Sequence, residues 1–116
     1  MKKPTRFFSS RQEREVAKAV NGKQTANSGA TAFQKGDVMS ANWLFECKTV
    51  VTPQKTFSVK KEWLEKNEEE AFAMGKAHNA LVFDFGDFGK RYYVIDEQTF
   101  KKMLKALEEA ENEDSG

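Results

Sequence analysis

The stretch 36–48, GDVMSANWLFECK, decides how this chain folds. Its second half, Trp43-Leu44-Phe45-Glu46-Cys47-Lys48, is rich in residues that suit a pleated sheet. Strand side chains alternate faces, so Leu44, Glu46 and Lys48 project to one side while Trp43, Phe45 and Cys47 project to the other. Ala41-Asn42 reads as a tight turn between two short strands, and the resulting hairpin folds Asp37 back to the level of Glu46. Two carboxylates and an ammonium then meet at one spot. That donor set suits a hard divalent cation with a positioned lysine beside it.

Upstream, residues 11–20 read as a helix that follows Ser9-Ser10 and stops at Asn21-Gly22. Ser10-x-x-Glu13 fits a capping box. Glu13 also falls on the stripe of Val16, Ala17 and Val20, which turns it toward the sheet. An acid on an apolar face is costly unless a cation receives it. Residues 23–35 (KQTANSGATAFQK) are small and polar, and part of this segment can form an edge strand leading into Asp37. Ser28-Gly29 at a bend either presents a hydroxyl and backbone N–H groups to a phosphate or closes an ordinary loop.

Downstream, residues 49–52 prolong the strand until Pro53 breaks it. A helix is expected over 58–75, with Trp63, Leu64, Ala71 and Met74 on its buried side and Gly75 as its C-cap. Lys60 and Lys61 fall in its first turn, where the helix dipole disfavours cations. That placement suits an external anion such as a backbone phosphate, or two solvated surface lysines. Residues 79–85 form a strand, 86–89 a turn and 90–95 the returning hairpin partner. Asp96 caps a last helix carrying Phe100, Met103, Leu104 and Leu107. The fold class is therefore α/β (α+β), a mixed sheet flanked by helices.

With 116 residues and 39% hydrophobic content, the chain has room for one core. It divides into a basic arm (1–8), a single domain (9–107) and an acidic tail (108–116). There is no apolar run of bilayer length, and MKKPTRFFSS lacks a secretory apolar segment, so a cytoplasmic protein is expected. One cysteine excludes an internal disulfide and a cysteine-rich zinc site, and one histidine, His78, excludes a His-rich one. Cys47 itself reads as a small buried residue rather than a nucleophile. The net charge of +1 hides an asymmetry: residues 1–61 hold twelve Lys/Arg against four Asp/Glu, and residues 62–116 hold seven against fourteen. Three of the four acids in the basic half are Glu13, Asp37 and Glu46. Cations that hold a phosphate backbone around a few clustered acids are what a phosphodiester-cleaving surface needs.

The spacing D-x8-E-C-K resembles the core of the PD-(D/E)XK nuclease superfamily. Over residues 9–104 the order RQERE, a Ser-Gly loop, KGDV, FECK, SVKKEWLEKNEEEA and ALVFDF resembles Holliday junction resolvases of the archaeal type and their small phage relatives. The resemblance implies a restriction-endonuclease-like fold with an α-β-β-β-α-β core. It also implies a Mg2+-dependent, structure-selective DNA endonuclease that leaves a 5′-phosphate and a 3′-hydroxyl, with Mn2+ able to replace Mg2+. Carried over residue by residue, Asp37, Glu46 and the Cys47 backbone carbonyl bind the metal, and Glu13 adds a ligand directly or through water. Lys48 orients the attacking water, and Ser28 joins the catalytic set. Arg11, Arg14, Ser28, Gly29, Lys35, Lys60 and Lys61 face the DNA. The implied partners are branched DNA, above all a four-way junction, and a second copy in a two-fold homodimer, with no membrane and no small-molecule cofactor. One departure stands out: those resolvases often carry an Arg just ahead of the serine loop, where this chain has Gln24, Thr25 and Asn27. The alternatives are a nuclease for other branched, flapped or modified DNA, and a DNA-binding protein that keeps the fold without cutting.

Overall fold

A computed structural model describes residues 5–25, 37–86 and 89–115, with the side chains of its terminal helices from residue 11 to residue 114. Its elements are α1 (Thr5–Ala19), β1 (Lys23–Gln24), β2 (Asp37–Met39), β3 (Trp43–Lys48), α2 (Lys61–Ala73), β4 (His78–Phe83), β5 (Tyr92–Val94) and α3 (Glu97–Ser115). The strands form one five-stranded mixed sheet in the order β1-β2-β3-β4-β5. Only β3 and β4 run parallel, because α2 carries the chain back between them. Every other neighbouring pair is antiparallel.

The period of two along β3 sorts the core into two layers. Val38, Phe45, Ala80 and Val82 face α1 and close over Val16. Leu44 and Leu81 are buried on the opposite face, where α2 packs through Ala71 and Asn67. Asn67 is a polar residue at a core position, and its Nδ2 donates to the Ala80 carbonyl at 3.1 Å. That bond offsets the cost of burying an amide. The sheet is thus flanked by helices on both faces, as expected.

Several boundaries differ from the sequence expectation. Helix α1 begins at Thr5, so Ser10 lies within it and the Ser10–Glu13 capping box does not form at a helix start. The predicted stop is where it was placed: Asn21 takes a left-handed φ of 55°, and Gly22 N–H donates to the Ala17 carbonyl at 2.8 Å. Strand β3 ends at Lys48 rather than continuing to residue 52, because a side chain of α1 takes the Lys48 carbonyl. Helix α2 starts at Lys61, three residues later than predicted, and closes on Gly75 at φ +72°. Strand β4 begins at His78, one residue earlier than predicted, and the ring of His78 lies 4.9 Å from Trp43. Asp96 caps α3 as expected by accepting the Thr99 N–H at 2.9 Å, and the helix runs on to Ser115. Among the described residues no helix is long and apolar enough to cross a membrane.

Candidate active site

Backbone pairing brings the two key acids together. The hairpin turn closes through the Ser40 N–H donating to the Trp43 carbonyl at 3.1 Å, and the ladder then sets Asp37 directly opposite Glu46. Strand backbone groups alternate sides, and two further bonds fix the phase. The Asn42 carbonyl accepts from His78 N–H on the β4 side, and the Asp37 carbonyl accepts from Thr25 N–H on the β1 side. Asp37 and Glu46 are therefore a non-hydrogen-bonded pair, the position at which antiparallel side chains come closest, with Cα atoms about 4.5 Å apart. By the same alternation the Cys47 carbonyl points to the β2 side of β3, next to Asp37.

Both acids are buried, Asp37 at 9% exposure and Glu46 at 2%. Like charges directly opposite are destabilising, and burial strengthens the repulsion. Lys48 relieves part of it, with its Nζ 3.7 Å from Glu46 Oε1. The same Nζ stands 4.2 Å from the centre of the Trp63 ring, so α2 supplies a flat aromatic wall against the amine beside Glu46. Lys60 approaches the same ring at 5.4 Å, and Lys61 opens the helix beside it. Two carboxylates, a positioned amine and flanking lysines thus share one face of the sheet.

Glu13 takes a different place. It lies on α1, which packs against the other face, and Gln24 Nε2 donates to its Oε1 at 3.4 Å. The fully buried polar position of α1 is Gln12, one residue earlier than predicted, and Glu13 sits half-buried at the border of the stripe. The field of Glu13 still reaches the end of β3. Burial pushes the Cys47 thiol far up, and Glu13, Asp37 and Glu46 push it further in that order, opposed by Arg91. The thiol therefore stays protonated in the folded chain. Among the described residues no group of three or more His, Cys, Asp or Glu is close enough to hold a metal ion between them. Asp37 and Glu46 form a pair, and Glu13 stands apart from it.

Of the basic residues, Arg11 pairs with Glu15 on α1 at 3.6 Å, and Arg14 is exposed on that helix. Both lie away from the Lys48–Lys60 face. Ser28, Gly29 and Lys35 lie outside the described residues.

Two residues that sequence reasoning missed organise the end of β3. Gln12 Nε2 donates to the Lys48 carbonyl at 2.8 Å and to Asp84 Oδ2 at 3.0 Å. Asp84, also buried, uses Oδ1 to accept the Gly86 N–H at 2.8 Å. Gly86 has φ +100°, and a Cβ there would press on Pro53, so this turn requires glycine. The signals were present: Gln12 precedes Val16 and Val20 at steps of four, and Asp84 interrupts the apolar run ALVFDF.

Comparison with family models, curated proteins and solved structures finds no match to this chain.

Proposed function

We propose that this protein is a metal-dependent nuclease, and more narrowly a structure-selective DNA endonuclease acting on four-way junctions. The observation that carries the reading is the buried Asp37–Glu46 pair with the Lys48 amine at its edge. Two carboxylates held face to face at low exposure are costly unless a cation offsets them, and hard oxygen donors fit Mg2+. Mg2+ is commonly held by one or two carboxylates plus waters and substrate phosphate rather than by an all-protein cage. Among the described residues no third carboxylate joins the pair, which suits that habit, and the Cys47 carbonyl beside Asp37 offers a further oxygen donor.

Bound there, the ion would polarise the scissile phosphate and lower the pKa of a water. The chain's own groups do the rest. Lys48, aligned by Trp63 and Glu46, orients the nucleophilic water and offsets charge developing on the phosphorane-like transition state. Lys60 and Lys61 hold the phosphate backbone on the same face. Products with a 5′-phosphate and a 3′-hydroxyl, and a preference for four-way junctions, follow from the resemblance to resolvases.

The test incubates four-way, Y-shaped and linear DNA with Mg2+ or with EDTA. Symmetric nicks in the four-way substrate alone, lost in EDTA, support the reading. Equal cutting of linear duplex refutes the junction assignment and keeps the nuclease. Binding without cutting in any metal refutes the nuclease and favours the non-catalytic alternative.

A further inference from the structure

The sheet register lays a row of side chains beside the two acids. On the α2-facing surface Glu46 pairs with Leu81 and Leu81 with Val94; in the next row Lys48 pairs with Phe83 and Phe83 with Tyr92. Directly paired residues share a face, so Lys48, Phe83 and Tyr92 stand side by side. Strands lie about 4.8 Å apart, which puts Tyr92 on the order of 10 Å from β3. Further rings gather on this row. Phe57 stacks on Phe83 at 4.4 Å, and Phe85 meets it edge-on at 5.5 Å. Phe57 leads on to Trp63 at 6.2 Å, the ring against which Lys48 Nζ rests. Tyr92 closes the row, 5.8 Å from Phe83 and 5.7 Å from Phe85. Its ring is thus braced, yet it is 42% exposed, and Phe57, Trp63, Phe83 and Phe85 are only half-buried. Cations stand at both ends: Lys48 and Lys60 at Trp63, and Lys90 with its Nζ 5.9 Å from the Tyr92 ring.

A strip of half-exposed rings bounded by lysines has the chemistry that takes single-stranded nucleic acid: the rings stack bases while the cations hold phosphates. We propose that Tyr92, braced by Phe83 and Phe85, is the stacking platform for an unpaired base of the DNA strand whose phosphate lies at Lys48, with Lys90 on a neighbouring phosphate. This deepens the nuclease reading and rests on it. Taking a base out of a duplex costs least where pairing is already interrupted. The shelf therefore selects strands at branch points through a base next to the cut, and it does so without reading sequence, because every base has a π-face.

The experiment is fluorescence anisotropy of the full chain in EDTA with two labelled strands of equal length, one an oligothymidylate and one abasic, and circular dichroism as the folding control. Wild type should bind the thymidine strand about tenfold more tightly than the abasic one. Tyr92→Leu keeps the apolar bulk and loses the aromatic face; it should remove that preference and leave abasic binding unchanged. Tyr92→Trp should retain the preference. Lys90→Ala should weaken both strands alike and reduce the salt slope by about 0.7. Equal wild-type affinity for the two strands overturns the proposal, and so does a Tyr92→Leu protein that keeps the preference. Binding is read without metal, so the two readings fail separately. A chain that cuts junctions yet ignores bases loses the shelf alone, and one that prefers bases through Tyr92 yet cuts nothing keeps the shelf and loses the nuclease.

Discussion

Replacing Gln12 by alanine tests whether the end of β3 is held as described. The side chain is 2% exposed, and its Nε2 makes both the 2.8 Å bond to the Lys48 carbonyl and the 3.0 Å bond to Asp84. A neutral bond of this kind contributes about 1 kcal/mol and one to a carboxylate about 1.5–3. The truncation also leaves a void, which adds about 1 kcal/mol or more. The expected loss is therefore about 4 kcal/mol, a large part of the ~5–15 kcal/mol that stabilises a domain. Urea unfolding followed by tryptophan fluorescence reads it: with a slope of ~1–2 kcal/mol per molar, the midpoint should fall by about 2 M or more. Gln12→Leu, which keeps the volume, should fall by less than the alanine variant. Alanine and wild-type midpoints within about 0.5 M of each other would refute the bridge.

Trp63→Ala removes the wall beside Lys48 Nζ and should cost about 1–2 kcal/mol, while Trp63→Phe should keep part of the loss back; thermal unfolding of the two variants decides it. Cys47 should resist alkylation in the folded chain at pH 8 and react freely once unfolded, as a timed iodoacetamide assay would show. Because the folded thiol is raised above its unfolded value of about 8.5, the unfolded chain binds fewer protons above that pH. Stability should be unaffected by Cys47 below about pH 8.5 and fall as the pH rises past it, and Cys47→Ala should remove that fall.

The hairpin and its register were legible because alternation along residues 43–48 and the short connection at Ala41-Asn42 are local signals. So were the Asn21-Gly22 stop and the Asp96 cap, whose chemistry lies within a few residues of the bend they make. What escaped depends on contacts far apart in sequence. Gln12 reaches Lys48 and Asp84 across 36 and 72 residues, and it is this reach that ends β3 before Thr49. Ser9-Ser10 reads as a helix start because serine favours caps, yet α1 runs through both, so the local preference is overridden. Glu13 was placed on the buried stripe because the stripe is wide. The helix phase that buries Val16 gives the innermost polar place to Gln12 instead. Of the site, the Asp37–Glu46–Lys48 grouping was readable from the strand, and the Trp63 wall behind it was not, since it needs α2 folded back over the sheet.

Everything proposed for the site rests on Asp37 and Glu46 sharing a divalent cation across the β2–β3 ladder. Thermal unfolding of wild type and Asp37→Asn, each in EDTA and in saturating Mg2+, measures it. The wild type should gain about 1.4 kcal/mol when Mg2+ is tenfold over its dissociation constant, while Asp37→Asn should start higher in EDTA, freed of the repulsion, and gain nothing from the metal. An Asp37→Asn protein that is less stable than wild type in EDTA and responds to Mg2+ as wild type does would contradict the account.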